Sequence, residues 1–292
     1  NSARNLKRSD SKTVAVLVKG INNPFFMRMI RVFEKEIQKK RYSFHLQHVD
    51  DQQDEIDVAI ELAKEKRLKG IVFLGGYFSH TKEKLERLNV PFVLSTVGLT
   101  EYMNQDQYSF VSVDDLMESF KMVDYLIRLG HRNIAMIAAG ENDRSISKLR
   151  LEGYKMALEK HGIPYDARLI RRMKEDIEVY SMANGYAVTK ELLEEDLDVT
   201  AIFAISDSLA IGACKAIFDA GKKVPDDYSV AGFDGLDISY YYHPSITTIQ
   251  QPVDRLAEET IKTLFDLINK KVTYAHLTFP AELVIRDSTR AI

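Results

Sequence analysis

With a single cysteine, Cys214, in 292 residues, the chain cannot form an intrachain disulfide. Cys214 sits in the run Leu209-Ala210-Ile211-Gly212-Ala213-Cys214, without a histidine or basic neighbour to make a thiolate, and reads as helix core. No apolar run approaches the ~20 residues that span a bilayer. The amino terminus lacks the apolar stretch of a secretory signal, so the expected location is cytoplasmic. Charge of one sign is lacking too. A formal net charge of −3 does not describe a polyanion-binding domain, although Arg4, Lys7, Arg8 and Lys12 crowd the first dozen positions against one acid, Asp10. Reactive motifs are equally scarce. There is no Walker-type phosphate loop, and Gly75-Gly76 lacks the spacing of a dinucleotide site. H-E-x-x-H and C-x-x-C are absent, which leaves a zinc site without support, and no G-x-S-x-G elbow occurs. His131, in Leu129-Gly130-His131, reads as a turn residue. The expectation is a protein that is not an enzyme, with no catalytic residue, no metal and no cofactor.

What the sequence does have is rhythm. Thr13–Val18 reads as a strand, and Phe26, Met29, Ile30, Phe33 and Ile37 follow at helical spacing. Ser43–Val49 is a second strand, followed by a helix marked by Ile56, Ala59, Ile60 and Ala63. Ile71–Leu74, apolar throughout, suits a central parallel strand covered on both faces. Pro91–Ser95 and Phe110–Val113 are further strands. Asp114 or Asp115 can cap the helix that Gly130 stops. The alternation then restarts, with strands at Asn133–Ala138, Arg168–Arg171, Ala201–Ile205 and Tyr228–Phe233. Helices at Ser145–His161, Met182–Glu194 and Asp207–Ala220 lie between them. Ser245–Ile249, a helix over Val253–Ile268 and a last run at Leu277–Ile285 close the chain. Two successive βα arrays make an α/β protein of two doubly wound parallel-sheet subdomains.

Open parallel sheets bind ligands at the carboxyl ends of their strands. The residues there are polar or aromatic: Arg144, Arg150, Ser206 and Asp234, with Phe25, Phe26, Tyr77 and Tyr180. Donors, carboxylate acceptors and flat rings are what a carbohydrate or nucleoside needs. Plainer roles compete at several of these positions. Phe26 fits the apolar stripe of its helix, Asp234 suits a turn or cap, and Arg150 suits a helix surface.

At these residues the chain resembles the lac-repressor (LacI/GalR) family of transcription regulators along almost its whole length. Asn22-Asn23-Pro24-Phe25-Phe26 resembles the family's S/N-N-P-F-F segment, and Val113-Asp114-Asp115 its V-D-N. Leu129-Gly130-His131-Arg132-Asn133-Ile134 is similar to L-G-H-x-x-I, and Arg150-Leu151-Glu152-Gly153-Tyr154 to R-x-x-G-F/Y. Ala204-Ile205-Ser206-Asp207 corresponds to A-x-N-D, and Gly232-Phe233-Asp234 to G-F-D. Pro244-Ser245-Ile246-Thr247-Thr248-Ile249 and the following Gln250-Gln251-Pro252 resemble P-x-L-T-T-I/V and its continuation. The first six residues, Asn1 to Leu6, resemble the family's DNA-binding hinge, in which a leucine wedges into the minor groove.

The resemblance implies a periplasmic-binding-protein-like fold with three crossovers, a cleft between subdomains and a homodimer. The expected parts are a hinge remnant at 1–12, an N-terminal subdomain of 13–129 with 251–275, and a C-terminal subdomain of 130–250 with 276–292. It implies an effector-sensing, dimerising core of a DNA-binding regulator, a repressor of carbohydrate genes. Its effector would be a sugar, sugar phosphate or nucleoside-like molecule, and no membrane partner is expected. Operator DNA would be reached only through an N-terminal domain that precedes this sequence. The implied effector residues are Asn22, Phe25, Tyr77, Arg144, Arg150, Tyr180, Ser206 and Asp234, and Arg4 and Leu6 would serve the hinge. Ser206 departs from an Asn frequent in sugar-responsive members, and Ser95-Thr96 departs from I-D-R. An exported sugar receptor with the same fold is the alternative, and a DNA hinge discriminates against it.

Overall fold

The computed structural model describes residues 12–292 apart from 21, 51–52, 100–103, 142 and 196, so the expected hinge residues Arg4 and Leu6 lie outside the described residues. Strand β1 (Thr13–Val18), buried throughout, leads to helix α1 (Pro24–Lys39). Asn23 caps α1 by accepting from the Phe25 amide at 3.0 Å, and Pro24 begins it, where its missing N–H costs nothing. Then come β2 (Ser43–His48), α2 (Glu55–Lys66), β3 (Leu68–Leu74) and the short β4 (Tyr77–Phe78). They are followed by α3 (Lys82–Glu86), β5 (Phe92–Ser95), β6 (Gly98–Leu99) and β7 (Ser109–Val113).

The second series runs α4 (Asp115–Arg128), β8 (Ile134–Ala138), α5 (Ile146–Lys160), β9 (Ile170–Arg172) and α6 (Met182–Leu193). It continues with β10 (Ala201–Ala204), α7 (Asp207–Asp219), β11 (Ser229–Asp234), α8 (Asp237–Tyr241) and β12 (Thr247–Gln250). Helix α9 (Val253–Ile268) and strands β13 (His276–Phe279) and β14 (Glu282–Val284) end the chain.

Two six-stranded sheets result, in the orders β13-β7-β5-β3-β1-β2 and β14-β12-β11-β10-β8-β9. The pairs from β2 to β7 and from β9 to β12 are parallel, and β14 joins β12 antiparallel. In each sheet the strand order reverses once, between β1 and β3 in the first and between β8 and β10 in the second. A crevice opens at such a switch point because successive connections leave to opposite faces.

The chain divides into two compact units: residues to Ser112 with Val253–Phe279, and Val113–Pro252 with Pro280–Ile292. It therefore passes between them three times, at 112/113, 252/253 and 279/280. These limits correct the expected ones. The stop signal at Gly130 ends a helix but not a unit. Helix α4 belongs to unit 2 because it packs on α5: a Cβ at Gly153 would lie 2.1 Å from the Leu116 carbonyl oxygen. The expected run Leu277–Ile285 is two strands in different sheets, parted at Pro280. β13 belongs to unit 1, where the Phe110 amide donates to the Ala275 carbonyl just before it at 3.0 Å.

Inside unit 1, Ala15, Leu17, Ile56, Ile71, Phe73, Phe78 and Leu94 share one apolar core. Inside unit 2, Tyr154, Phe203 and Phe233 are the largest fully buried side chains. No helix among the described residues is long and apolar enough to cross a membrane.

Candidate functional site

The carboxyl ends of unit 2's strands gather several buried charged groups. Arg150, one turn into α5, is 4% exposed. Its Nε donates to Asp115 Oδ1 at 2.8 Å and its Nη1 to the Ile205 carbonyl, just beyond β10, at 2.5 Å. Nη1 also stands 3.7 Å from Asp234 Oδ1 at the end of β11. The guanidinium carbon lies 3.6 Å from the centre of the Phe233 ring, a cation–π contact in a desolvated setting. Burial opposes the charge on Arg150, yet Asp115 and Asp234 more than offset it and raise its pKa.

Asp234 is 2% exposed, with φ at +109°, a backbone conformation unusual for a side-chain-bearing residue. Gln251 Nε2 donates to Asp234 Oδ1 at 2.9 Å. Asp234 Oδ2 and Gln251 Oε1 are both buried without a hydrogen-bond partner among the described residues. A buried acceptor left unpaired costs about 1–3 kcal/mol, so such atoms persist mainly where something else pairs with them. Burial, only partly offset by Arg150, pushes the Asp234 carboxyl up to about 8.

Asp207 beside it is also buried, and burial pushes it up to about 6. Its role is architectural: Oδ1 accepts from Thr248 Oγ1 and Oδ2 from the Leu236 amide, both at 2.6 Å. Position 232 must be glycine, because a Cβ there would lie 2.3 Å from Asp207 Oδ1. Ser206 caps α7, its hydroxyl accepting from the Leu209 amide at 3.3 Å.

Tyr180 has φ at +56°, and its hydroxyl is hydrogen-bonded to Ser147 Oγ. Asn184 sets up this turn. Fully buried, it accepts from the Lys174 amide at 2.9 Å and donates to the carbonyls of Lys174 and Ile177 at 2.9 and 3.1 Å. A cavity of about 490 Å3 adjoins, lined by Gly140, Asp143, Arg144, Ser147, Leu151 and Arg172.

Structure thus gathers Arg150, Ser206 and Asp234 around the ends of β10 and β11, and places exposed Arg144 in the cavity wall beside Ser147. Asn22, Phe25 and Tyr77 belong to unit 1. Asn22 is exposed in the turn before α1, Phe25 is buried with its ring 5.8 Å from Phe26, and Tyr77 is half-buried in β4. Sequence reading passed over Asp115, Gln251, Asn184 and the ring of Phe233. It also passed over a charged group at the strand ends of unit 1, where Glu55 meets Lys19 Nζ at 2.8 Å and His80 Nε2 at 2.6 Å. Thr96, on β5's carboxyl side with φ at +54°, has a buried Oγ1 with no partner among the described residues. His131 is a turn residue as expected, its Nδ1 2.9 Å from Thr200 Oγ1 and its Nε2 3.1 Å from the Arg290 carbonyl oxygen. Among the described residues no group of three or more His, Cys, Asp or Glu could hold a metal ion.

Comparison with known proteins gives the same outline. Residues 123–289 match the family model described as a periplasmic binding protein-like domain. The chain is 40% identical to the HTH-type transcriptional regulator MalR of Clostridium butyricum over 291 residues, 99% of this chain and 85% of that protein. It is 32% identical to the HTH-type transcriptional repressor CytR of Escherichia coli K12, over 99% of this chain and 82% of that one. Among solved structures, a LacI family transcriptional regulator from Enterococcus faecium with bound ribose superposes with a TM-score of 0.82 at 29% identity, covering 96% of this chain and all of that one.

Proposed function

The chain belongs to the LacI family of transcriptional regulators, and from that premise we propose that the ends of β10 and β11 receive a small polyhydroxyl effector whose binding alters affinity for operator DNA. One observation carries the reading: Asp234 presents a buried, unpartnered Oδ2 beside the buried guanidinium of Arg150. Donor and acceptor side by side suit vicinal hydroxyls, and Tyr180 supplies a ring. Asp115 and Asp207 outnumber Arg150 even with Asp234 protonated, so the site favours a neutral ligand over a phosphorylated one. Ribose in the Enterococcus faecium relative supports a carbohydrate of that kind.

DNA reading belongs to a separate helix-turn-helix domain, as the names of the curated relatives indicate. The functional unit is a homodimer, whose two-fold axis suits palindromic half-sites. A surface for it exists in unit 2. Ile238, Tyr240 and Tyr241 of α8 are 45%, 61% and 82% exposed, large apolar groups displayed together on one short helix.

The test is a thermal-shift screen of sugars, sugar phosphates and nucleosides. A ligand at about 100 times its dissociation constant adds about 2.7 kcal/mol of stability. The expected hit stabilises the wild type and not Asp234→Asn. A hit that stabilises both equally sinks the site assignment.

A further inference from the structure

The residues that hold Arg150 and Asp234 lie beside the places where the chain enters and leaves unit 2. Asp115, the acceptor for Arg150 Nε, begins α4 three residues beyond Ser112, after the crossover at 112/113. Gln251, the donor to Asp234, precedes Pro252 and the crossover at 252/253. The Gln251 amide also donates to the Asp234 carbonyl, at 3.2 Å. Both side chains are nearly sealed from solvent, Asp115 at 1% and Gln251 at 3% exposed. The third crossover, at 279/280, is held elsewhere: Glu118 Oε1 accepts from the Ala281 amide at 3.0 Å, and Lys121 Nζ donates to the Ala281 carbonyl at 2.9 Å.

We propose that Asp115 and Gln251 are positioning residues that fasten two of the three crossovers to the Arg150–Asp234 pair, leaving the third on a separate anchor. This rests on the reading of that pair as the effector site, and adds a route by which its occupancy acts on the rest of the chain. Whatever engages Asp234 Oδ2 or the guanidinium of Arg150 acts on the same two side chains whose other atoms hold Gln251 and Asp115. The first and second crossovers feel that engagement directly, and the third does not.

Hydrogen exchange read by mass spectrometry on the whole chain tests this without any ligand, so its outcome stands apart from the ligand screen. Gln251→Met is expected to speed exchange in residues 250–253, and Asp115→Asn in 113–116, by about tenfold each, as the loss of one buried hydrogen bond, or of the charge that strengthens it, implies. Glu118→Gln is expected to speed exchange only around 280–282. Gln251→Glu supplies a readout that mere packing would not move. Asp234 faces Arg150 from α5, Asp115 from α4, Asp207 from α7 and residue 251 beyond β12. At pH 5.5 a protonated carboxyl at 251 or 234 can replace the amide donor, and exchange in 250–253 stays near that of the wild type. At pH 8.5 two carboxylates repel, and exchange there rises about tenfold beyond its intrinsic pH dependence. Gln251→Met shows no such pH profile. Unchanged exchange at both segments, or a rise spread evenly over unit 2, overturns the proposal.

Discussion

Arg150 and Asp115 form the tightest ionic contact in the site, Nε to Oδ1 at 2.8 Å, and it is closer than the 3.7 Å contact Arg150 makes with Asp234. The guanidinium is therefore part of the fold as well as of the site. Arg150→Ala leaves Asp115 buried without its cation, and breaking a buried pair from one side costs about 3–5 kcal/mol. Urea unfolding should show a loss of that size. Asp234→Asn should cost far less, because the carboxyl it replaces holds a proton at neutral pH. Equal losses for the two variants would contradict this division of roles.

Stability should depend on pH through the same acid. Asp234 is raised from its ordinary 3.8 to about 8, and Asp207 to about 6. Within those windows the folded chain binds protons that the unfolded chain has lost. These groups therefore contribute most below pH 3.8, and their contribution falls as pH rises through about 6 and about 8. Denaturation midpoints across pH 5 to 9 should decline less steeply in Asp234→Asn than in the wild type. Parallel profiles would show that Asp234 is ionised in the native state.

The aromatic face of α8 gives a prediction about assembly. Tyr241→Glu places a charge on a side chain 82% exposed, so the monomer should fold normally. If that face is the dimer contact, the dimer dissociation constant should rise at least about tenfold, as for a central aromatic anchor. Sedimentation equilibrium would detect it. A variant that dimerises like the wild type places the contact elsewhere.

Close helix packing should be intolerant of a methyl group. Gly153 meets the Leu116 carbonyl of α4, and a Cβ there would sit 2.1 Å away. Gly212 of α7 meets the Met182 carbonyl of α6 in the same way, at 2.0 Å. Gly153→Ala and Gly212→Ala should each cost about 3 kcal/mol or more, at the upper end of overpacking penalties. Gly162→Ala is the control for added volume, since nothing lies within 4 Å of its Cβ position. Its cost should come only from φ at +64°.

Cys214 should be inert. Burial pushes its thiol up to about 12, so thiolate is scarce at neutral pH. A disulfide reagent such as Ellman's should label it only at the rate of unfolding. Immediate labelling of the native protein would contradict its place in the core.

Much of the fold could be read from the sequence because hydrophobic periodicity is local. The α1 stripe of Phe26, Met29, Ile30, Phe33 and Ile37 faces inward as its spacing predicts, and α9 has the expected limits, Val253–Ile268. Turn chemistry was legible for the same reason: the helix that Gly130 was expected to stop ends at Arg128, and Gly130 has φ at +105°. Reading failed where a residue's role depends on a distant partner. Val113-Asp114-Asp115 offers two candidate caps. Asp114 takes the part, accepting from the Met117 amide at 3.0 Å, while Asp115 turns inward to Arg150. Nothing within a few residues distinguishes the two acids.

The sequence by itself determined the element order, the α/β class and the kinship with LacI-family regulators, since these rest on periodicity and on motifs in a fixed order. It also placed Arg150, Ser206 and Asp234 near strand ends. Only the tertiary structure decided that Ser206 is a helix cap, that Arg150 is shared by two buried acids, and that Gln251 completes the group. Those contacts join residues 35 positions apart for Asp115 and Arg150, and 17 for Asp234 and Gln251. Their strength comes from burial, and burial is a property of the packed sheet rather than of any segment. The unit boundaries have the same origin: α4 follows α5, and β13 follows β7, because packing area and strand pairing assign an element to a unit whatever its place along the chain.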